Sequence, residues 1–220
     1  MTNRLAIFDC DGTLVDGQAN VCLAMERCFA AAGLDPPSRE ASRRVVGLSM
    51  VEAMRALLPE AQPALHAELA ESYKSEFHKM RLEGLVDEPL YEGMAELLAS
   101  LEEDGWLLGV ATGKSDRGLG LCLDCHGLTK RFVTLQTADR HPSKPHPSMI
   151  EQAMAEAGAS PETTIMIGDT SFDMAMARAA WVTAIGVTWG YHEAGELRRA
   201  GAHYIASVPS EIVAFAKAFA

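Results

Sequence analysis

Short apolar runs punctuate the chain at residues 5–8, 106–111, 132–135, 164–167, 183–187 and 204–206, bounded by Gly, Asp or Thr. They are mostly non-alternating, as expected of parallel strands covered on both faces. Helix-like segments fall between most of them, at 94–103, 117–125, 147–157, 172–180 and 193–200. Strand alternating with helix predicts a doubly wound α/β fold with a parallel sheet.

One stretch breaks that rhythm. Residues 17–84 hold no convincing strand. Segments 19–32, 40–46, 50–57 and 64–82 read as helices, interrupted by Pro36-Pro37 and Pro59. A helical block of that size exceeds a single crossover. It is expected to be an inserted module (17–84) on a core made of 1–16 and 85–220, with hinges near Asp16-Gly17 and residues 84–89.

Composition narrows the classes. A formal net charge of −11 argues against a broad nucleic-acid footprint, which needs a basic surface. At 48% hydrophobic residues a sizeable core is possible, yet no run is long and apolar enough to span a bilayer. The first residues lack the pattern of a secretion signal, because Asp9 ends the apolar run at once. Five cysteines without framework spacing fit a reducing compartment, so a cytoplasmic location is expected.

The chemistry-bearing residues cluster where strands end. Asp9 and Asp11 directly follow the first strand, and ligands of open α/β sheets bind at the carboxyl ends of strands. Residues two apart on extended chain point to one side, so the two carboxylates repel unless a hard cation relieves them. Gly12 lets the chain turn there. A second apolar run ends in Gly168-Asp169-Thr170-Ser171-Phe172-Asp173, bringing Asp169 and Asp173 to the same edge. Between these, Thr112 in Ala111-Thr112-Gly113-Lys114 can donate to a phosphoryl oxygen. Lys144 in Ser143-Lys144-Pro145 can neutralise both a phosphate and the Asp9 carboxylate.

Two other signals carry less. Gly109–Ser115 looks like a P-loop, but three residues rather than four separate its glycines, and that reading leaves Asp9 and Asp11 unexplained. Cys122-Leu123-Asp124-Cys125-His126 lacks the second ligand pair of a structural zinc site and fits the end of a packed helix.

The order Asp9-Cys10-Asp11-Gly12-Thr13-Leu14-Val15-Asp16, Ala111-Thr112-Gly113-Lys114, Lys144-Pro145-His146-Pro147, Gly168-Asp169-Thr170-Ser171-Phe172-Asp173 resembles the haloacid dehalogenase superfamily of phosphohydrolases, phosphoglycolate phosphatase-like branch. The resemblance implies a Rossmann-like core with a small α-helical cap. It implies a Mg²⁺-dependent phosphatase acting on a small phosphorylated metabolite, such as phosphoglycolate or a sugar phosphate, through an aspartyl-phosphate. In that scheme Asp9 is the nucleophile and Asp11 the general acid and base. Asp9, Asp11 (through its carbonyl), Asp169 and Asp173 serve the metal. Gly12, Thr112, Gly113 and Lys144 serve the phosphate. Asp11 argues against the carbon-attacking dehalogenases, which lack this acid. The cap would set specificity, with Arg43, Arg44, Gly47 and Leu48 as candidates to face substrate.

The alternatives are a phosphomutase of the β-phosphoglucomutase type and, more remotely, a non-catalytic phospho-acceptor module. Trp181 departs from the family pattern, standing where the helix-to-strand turn usually carries Gly. Neither the substrate nor the choice between monomer and homodimer is legible.

Overall fold

The structure is a computed structural model and describes residues 2–219. Six parallel strands form one sheet: β1 (Asn3–Phe8), β2 (Trp106–Thr112), β3 (Phe132–Thr137), β4 (Ala159–Gly168), β5 (Thr183–Val187) and β6 (Tyr204–Ala206). Their order is β3-β2-β1-β4-β5-β6. The strand order reverses direction beside β1, so the crevice of a doubly wound sheet opens beyond its carboxyl end, where Asp9 follows.

Each face of the sheet has its own core because side chains alternate along a strand. Ala6 and Phe8 face a cluster with Val110, Ile167 and Ile185, covered by α5 (Met94–Glu103), α6 (Asp116–Cys125) and α10 (Pro209–Ala218). Leu5 and Ile7 face the other way, onto Met166 and Ala184 under α7 (Ser148–Ala157), α8 (Ser171–Ala179) and α9 (Ala194–Arg199). Burial on both faces explains the continuous apolar runs. β4 begins five residues before the expected 164, because Ala159 pairs with Asn3 at the sheet's amino end and an irregular stretch without an apolar signature separates it from the pairing of Thr164 with Leu5.

The non-strand stretch folds as α1 (Gln18–Ala31), α2 (Arg39–Arg44), α3 (Met50–Leu57) and α4 (Pro63–Leu82). These helices bury a separate cluster including Met25, Phe29, Met54, Leu69, Tyr73 and Met80. The chain leaves and re-enters the sheet unit along two adjacent segments. Asp16 N–H donates to the Pro89 carbonyl at 2.9 Å, and Tyr91 N–H to that of Leu14 at 3.1 Å. No described helix is long and apolar enough to cross a membrane.

Trp181 takes up the turn after α8 with φ 61°, in the left-handed region, and is 84% exposed. A bulky L-residue is strained there. The departure noted in the sequence is thus a local cost on the surface, remote from the acids.

Candidate active site

The loops after β1, β2, β3, β4 and β5 each contribute a polar group at the carboxyl edge of the sheet. Asp9 follows β1 directly and is buried. Lys144 reaches the same point from the loop before α7, with its Nζ 2.9 Å from Asp9 Oδ1 and 2.6 Å from Asp173 Oδ1. Its side chain is closed to solvent. Burial alone would lower the Lys144 pKa, but Asp173 and Asp9 outweigh it and hold the ammonium above its ordinary range.

Asp173 owes its position to helix capping. Thr170 caps α8, accepting from the Asp173 N–H, while Asp173 Oδ2 accepts from Thr170 N–H at 3.0 Å and Thr170 Oγ1 at 2.6 Å. Its other oxygen holds Lys144. Asp173 is therefore an anchor for the lysine, with both oxygens already hydrogen-bonded. Asp169 accepts from Thr13 Oγ1 and Tyr191 N–H, each at 2.8 Å. Thr13 and Tyr191 escaped the sequence reading, since a buried hydroxyl and a backbone N–H carry no signature in composition.

Asp9, Asp169 and Asp173 bring ligand atoms within 4.8 Å of one another. Burial raises the Asp9 carboxyl to about 7, with Lys144 opposing and Asp173 adding to the rise. Burial, Asp173 and Asp9 push Asp169 well above the usual range. Three carboxylates face one ammonium, and Asp9 Oδ2 is buried without a partner. An excess of negative charge on hard oxygen donors with a free lone pair fits a divalent cation such as Mg²⁺.

Asp11 stands apart from this cluster. Its carboxylate pairs with Lys114 at 3.0 Å, without the alignment of a hydrogen bond. Lys114 also contacts Glu88 Oε1 at 2.6 Å, and Glu88 pairs with Arg81 at 2.7 Å. Burial raises the Asp11 carboxyl. Burial would also raise Glu88, but Lys114 and Arg81 hold it below the carboxylate range. Lys114 stood in the second motif and in the rejected P-loop without a role of its own, and its partner Glu88 lies 26 residues away along the chain.

Thr112 ends β2, buried, with its Oγ1 accepting from Lys114 N–H at 3.2 Å. Gly113 lies under the helical block: a Cβ there would sit 2.6 Å from the Leu48 carbonyl oxygen and 2.8 Å from that of Gly47. Gly12 adopts φ 82°, and a Cβ on it would strike Asp169 and Tyr191. The 47–49 segment also meets the Lys144 loop, where Ser49 N–H donates to Ser143 Oγ at 2.8 Å.

A cavity of about 320 Å³ opens between this edge and the helices, lined by Asp9, Asp11, Thr112 and, from the helical block, Gly47 and Leu48. Arg43 and Arg44 are not among the residues that line it. Arg44 points away to Glu196 at 2.7 Å, tying α2 to α9, because its helix turns that face toward the sheet unit's surface. Arg43 is half-buried, with a buried Nε that lacks a partner among the described residues.

The sequence model of the haloacid dehalogenase-like hydrolases matches residues 6–187. A protein of Dickeya dadantii named "Probable phosphatase IndB" is 36% identical, covering 97% of this chain and 94% of its own. A phosphoglycolate phosphatase of Agrobacterium fabrum is 33% identical, covering 87% and 84%. A solved hydrolase from Pseudomonas syringae superposes with a TM-score of 0.85 over 100% of both chains at 24% identity, a likeness of fold.

Proposed function

The chain belongs to the haloacid dehalogenase-like hydrolase family and is a phosphatase of it, and from that premise we propose a Mg²⁺-dependent phosphomonoesterase that forms an aspartyl-phosphate on Asp9. The observation that carries the reading is the buried Lys144 held between Asp9 and Asp173 beside Asp169 and the unpartnered Asp9 Oδ2.

Asp9 attacks phosphorus, and the alkoxide leaves. Lys144 draws charge from the phosphoryl oxygens while Asp173 keeps it in place. Asp11 gives its proton to the departing oxygen, then takes one from the water that cleaves the aspartyl-phosphate. Its raised pKa supports the first role, and its separation from the acid cluster leaves the carboxyl free for both. Lys114 fixes where it points. Thr112 and the backbone N–H groups of Asp11 and Gly113 suit the remaining phosphoryl oxygens, since the Gly12 N–H already donates to the Val15 carbonyl. Asp9, Asp169 and the Asp11 backbone carbonyl would hold Mg²⁺, which when bound neutralises charge on the transferring group.

Helices α1–α4 act as a cap from residue 17 to 84, and contacts at Gly47, Leu48 and Ser49 support closure over the site. The substrate is a small phosphorylated metabolite. A cytoplasmic setting agrees with five cysteines that are all free thiols. The test is phosphate release from small phosphomonoesters with Mg²⁺ and with excess chelator. Release that chelation abolishes is expected. Release indifferent to chelator, or interconversion of sugar phosphates without release, would contradict the reading.

A further inference from the structure

The cavity at the reactive edge has two unlike halves. One half is Asp9, Asp11 and Thr112, with Lys114 beside them. The other is walled chiefly by Val21, Met25, Val45, Leu48, Met50 and Phe77, none of which carries a hydrogen-bonding side chain, with Ser42, His78, Arg81 and Arg117 also in its lining. Tyr73 adds a second ring, tilted 39° to Phe77 with centroids 5.9 Å apart. The volume of about 320 Å³ lies at the small end of the roughly 300–1,000 Å³ typical of pockets that enclose organic ligands. It is far larger than a two-carbon leaving group fills.

The charges near the ester position are already matched. Lys114 is held by Asp11 at 3.0 Å and Glu88 at 2.6 Å, and Arg81 by Glu88 at 2.7 Å. Lys74, nearer the mouth, pairs with Glu71 at 2.8 Å. A carboxylate one carbon from the ester oxygen would meet Asp11 and Glu88; of the lining Lys and Arg side chains, Arg117 alone, exposed beside His78, has no carboxylate partner among the described residues. Sugar hydroxyls lying against Val21, Met25, Val45, Leu48 and Met50 would lose water without replacement hydrogen bonds from those side chains, which is costly.

We propose that the preferred substrate is a phosphomonoester of an alcohol bearing an apolar or aromatic ring. The phosphate meets Asp9 and Lys144. The ring lies against Phe77 and Tyr73, with Met25, Val45 and Leu48 closing around it. This deepens the phosphatase reading and rests on it.

The test compares kcat/KM for benzyl phosphate, ethyl phosphate, 2-phosphoglycolate and ribose 5-phosphate, with acetyl phosphate as a compact donor that leaves the apolar half empty. Benzyl and ethyl phosphate release alkoxides of similar basicity, so their ratio reports the walls. Benzyl phosphate is expected to exceed ethyl phosphate by about tenfold or more, in line with discrimination by apolar pockets. It should also exceed the two polar esters. Phe77→Ala should reduce the benzyl-to-ethyl ratio severalfold; a ratio is insensitive to how much variant is folded. Equal benzyl and ethyl values, or a higher value for 2-phosphoglycolate or ribose 5-phosphate, would overturn the proposal. Phosphate release from none of the donors, acetyl phosphate included, would instead sink the phosphatase reading and the proposal with it.

Discussion

Lys144 Nζ stands 2.9 Å from Asp9 Oδ1, and both side chains are shut off from solvent. The lysine is the cation that allows Asp9, Asp169 and Asp173 to share one buried space. Lys144→Ala should destabilise the metal-free protein by about 3–5 kcal/mol, the range for removing one partner of a buried ion pair. Urea denaturation measures it. A variant as stable as wild type would show that the acids do not depend on this lysine.

The same cluster sets a pH dependence. Asp9 titrates near 7 in the folded chain against 3.8 ordinarily, so between those values the folded state binds more protons than the unfolded. Stability from this group is therefore present at low pH and lost as pH rises toward 7. Lys144, raised above its usual range, stays charged throughout and adds a constant contribution across that window. Without metal, the Tm of wild type minus that of Asp9→Asn should fall as pH rises from 5 to 7, and saturating Mg²⁺ should weaken the trend. A difference that grows with pH would contradict this origin.

Lys114 joins Asp11 to Glu88 and, through it, to Arg81 on the last turn of α4. It contacts Asp11, the proposed proton donor, at 3.0 Å. Lys114→Met should lower kcat by about 10²-fold, the lower end of what a positioned general acid contributes, with KM changed far less. Steady-state kinetics on one phosphomonoester decides it. A raised KM with kcat intact would make Lys114 a substrate-binding residue instead.

Much of this arrangement was legible in the sequence because buried parallel strands print as apolar runs that end in their functional residue. Asp9, Thr112 and Asp169 all follow that rule. Lys144 and Asp173 were readable by their place in the order of sheet-edge loops. What stayed hidden was pairing across distance. Glu88 belongs to the hinge and Lys114 to the β2 loop, and only folding joins them. Arg44 shows the converse, since its charge suggested substrate whereas its helix face turns it to Glu196. Helix α10 was missed because its buried positions, Ile212 and Ala216, lie in a run that is apolar throughout and so shows no helical spacing.

Trp181 offers a check on the fold away from the chemistry. Its φ of 61° costs an L-residue about 1–2 kcal/mol, part of which glycine forfeits through its freer unfolded chain. With 84% of the indole exposed, little packing is lost. Trp181→Gly should raise stability by about 1 kcal/mol, seen as a higher Tm by calorimetry. An unchanged or lower Tm would mean that the ring contributes more than its exposure suggests.

The central claim is that Asp9 carries the phosphoryl group. The direct measurement is acid quenching of the Mg²⁺-loaded enzyme during turnover, followed by peptide mass mapping. One phosphoryl group is expected on the peptide holding Asp9, absent from Asp9→Asn and more abundant in Asp11→Asn, where dephosphorylation lacks its base. Rapid turnover with no such adduct in either wild type or Asp11→Asn, and full activity in Asp9→Asn, would contradict it.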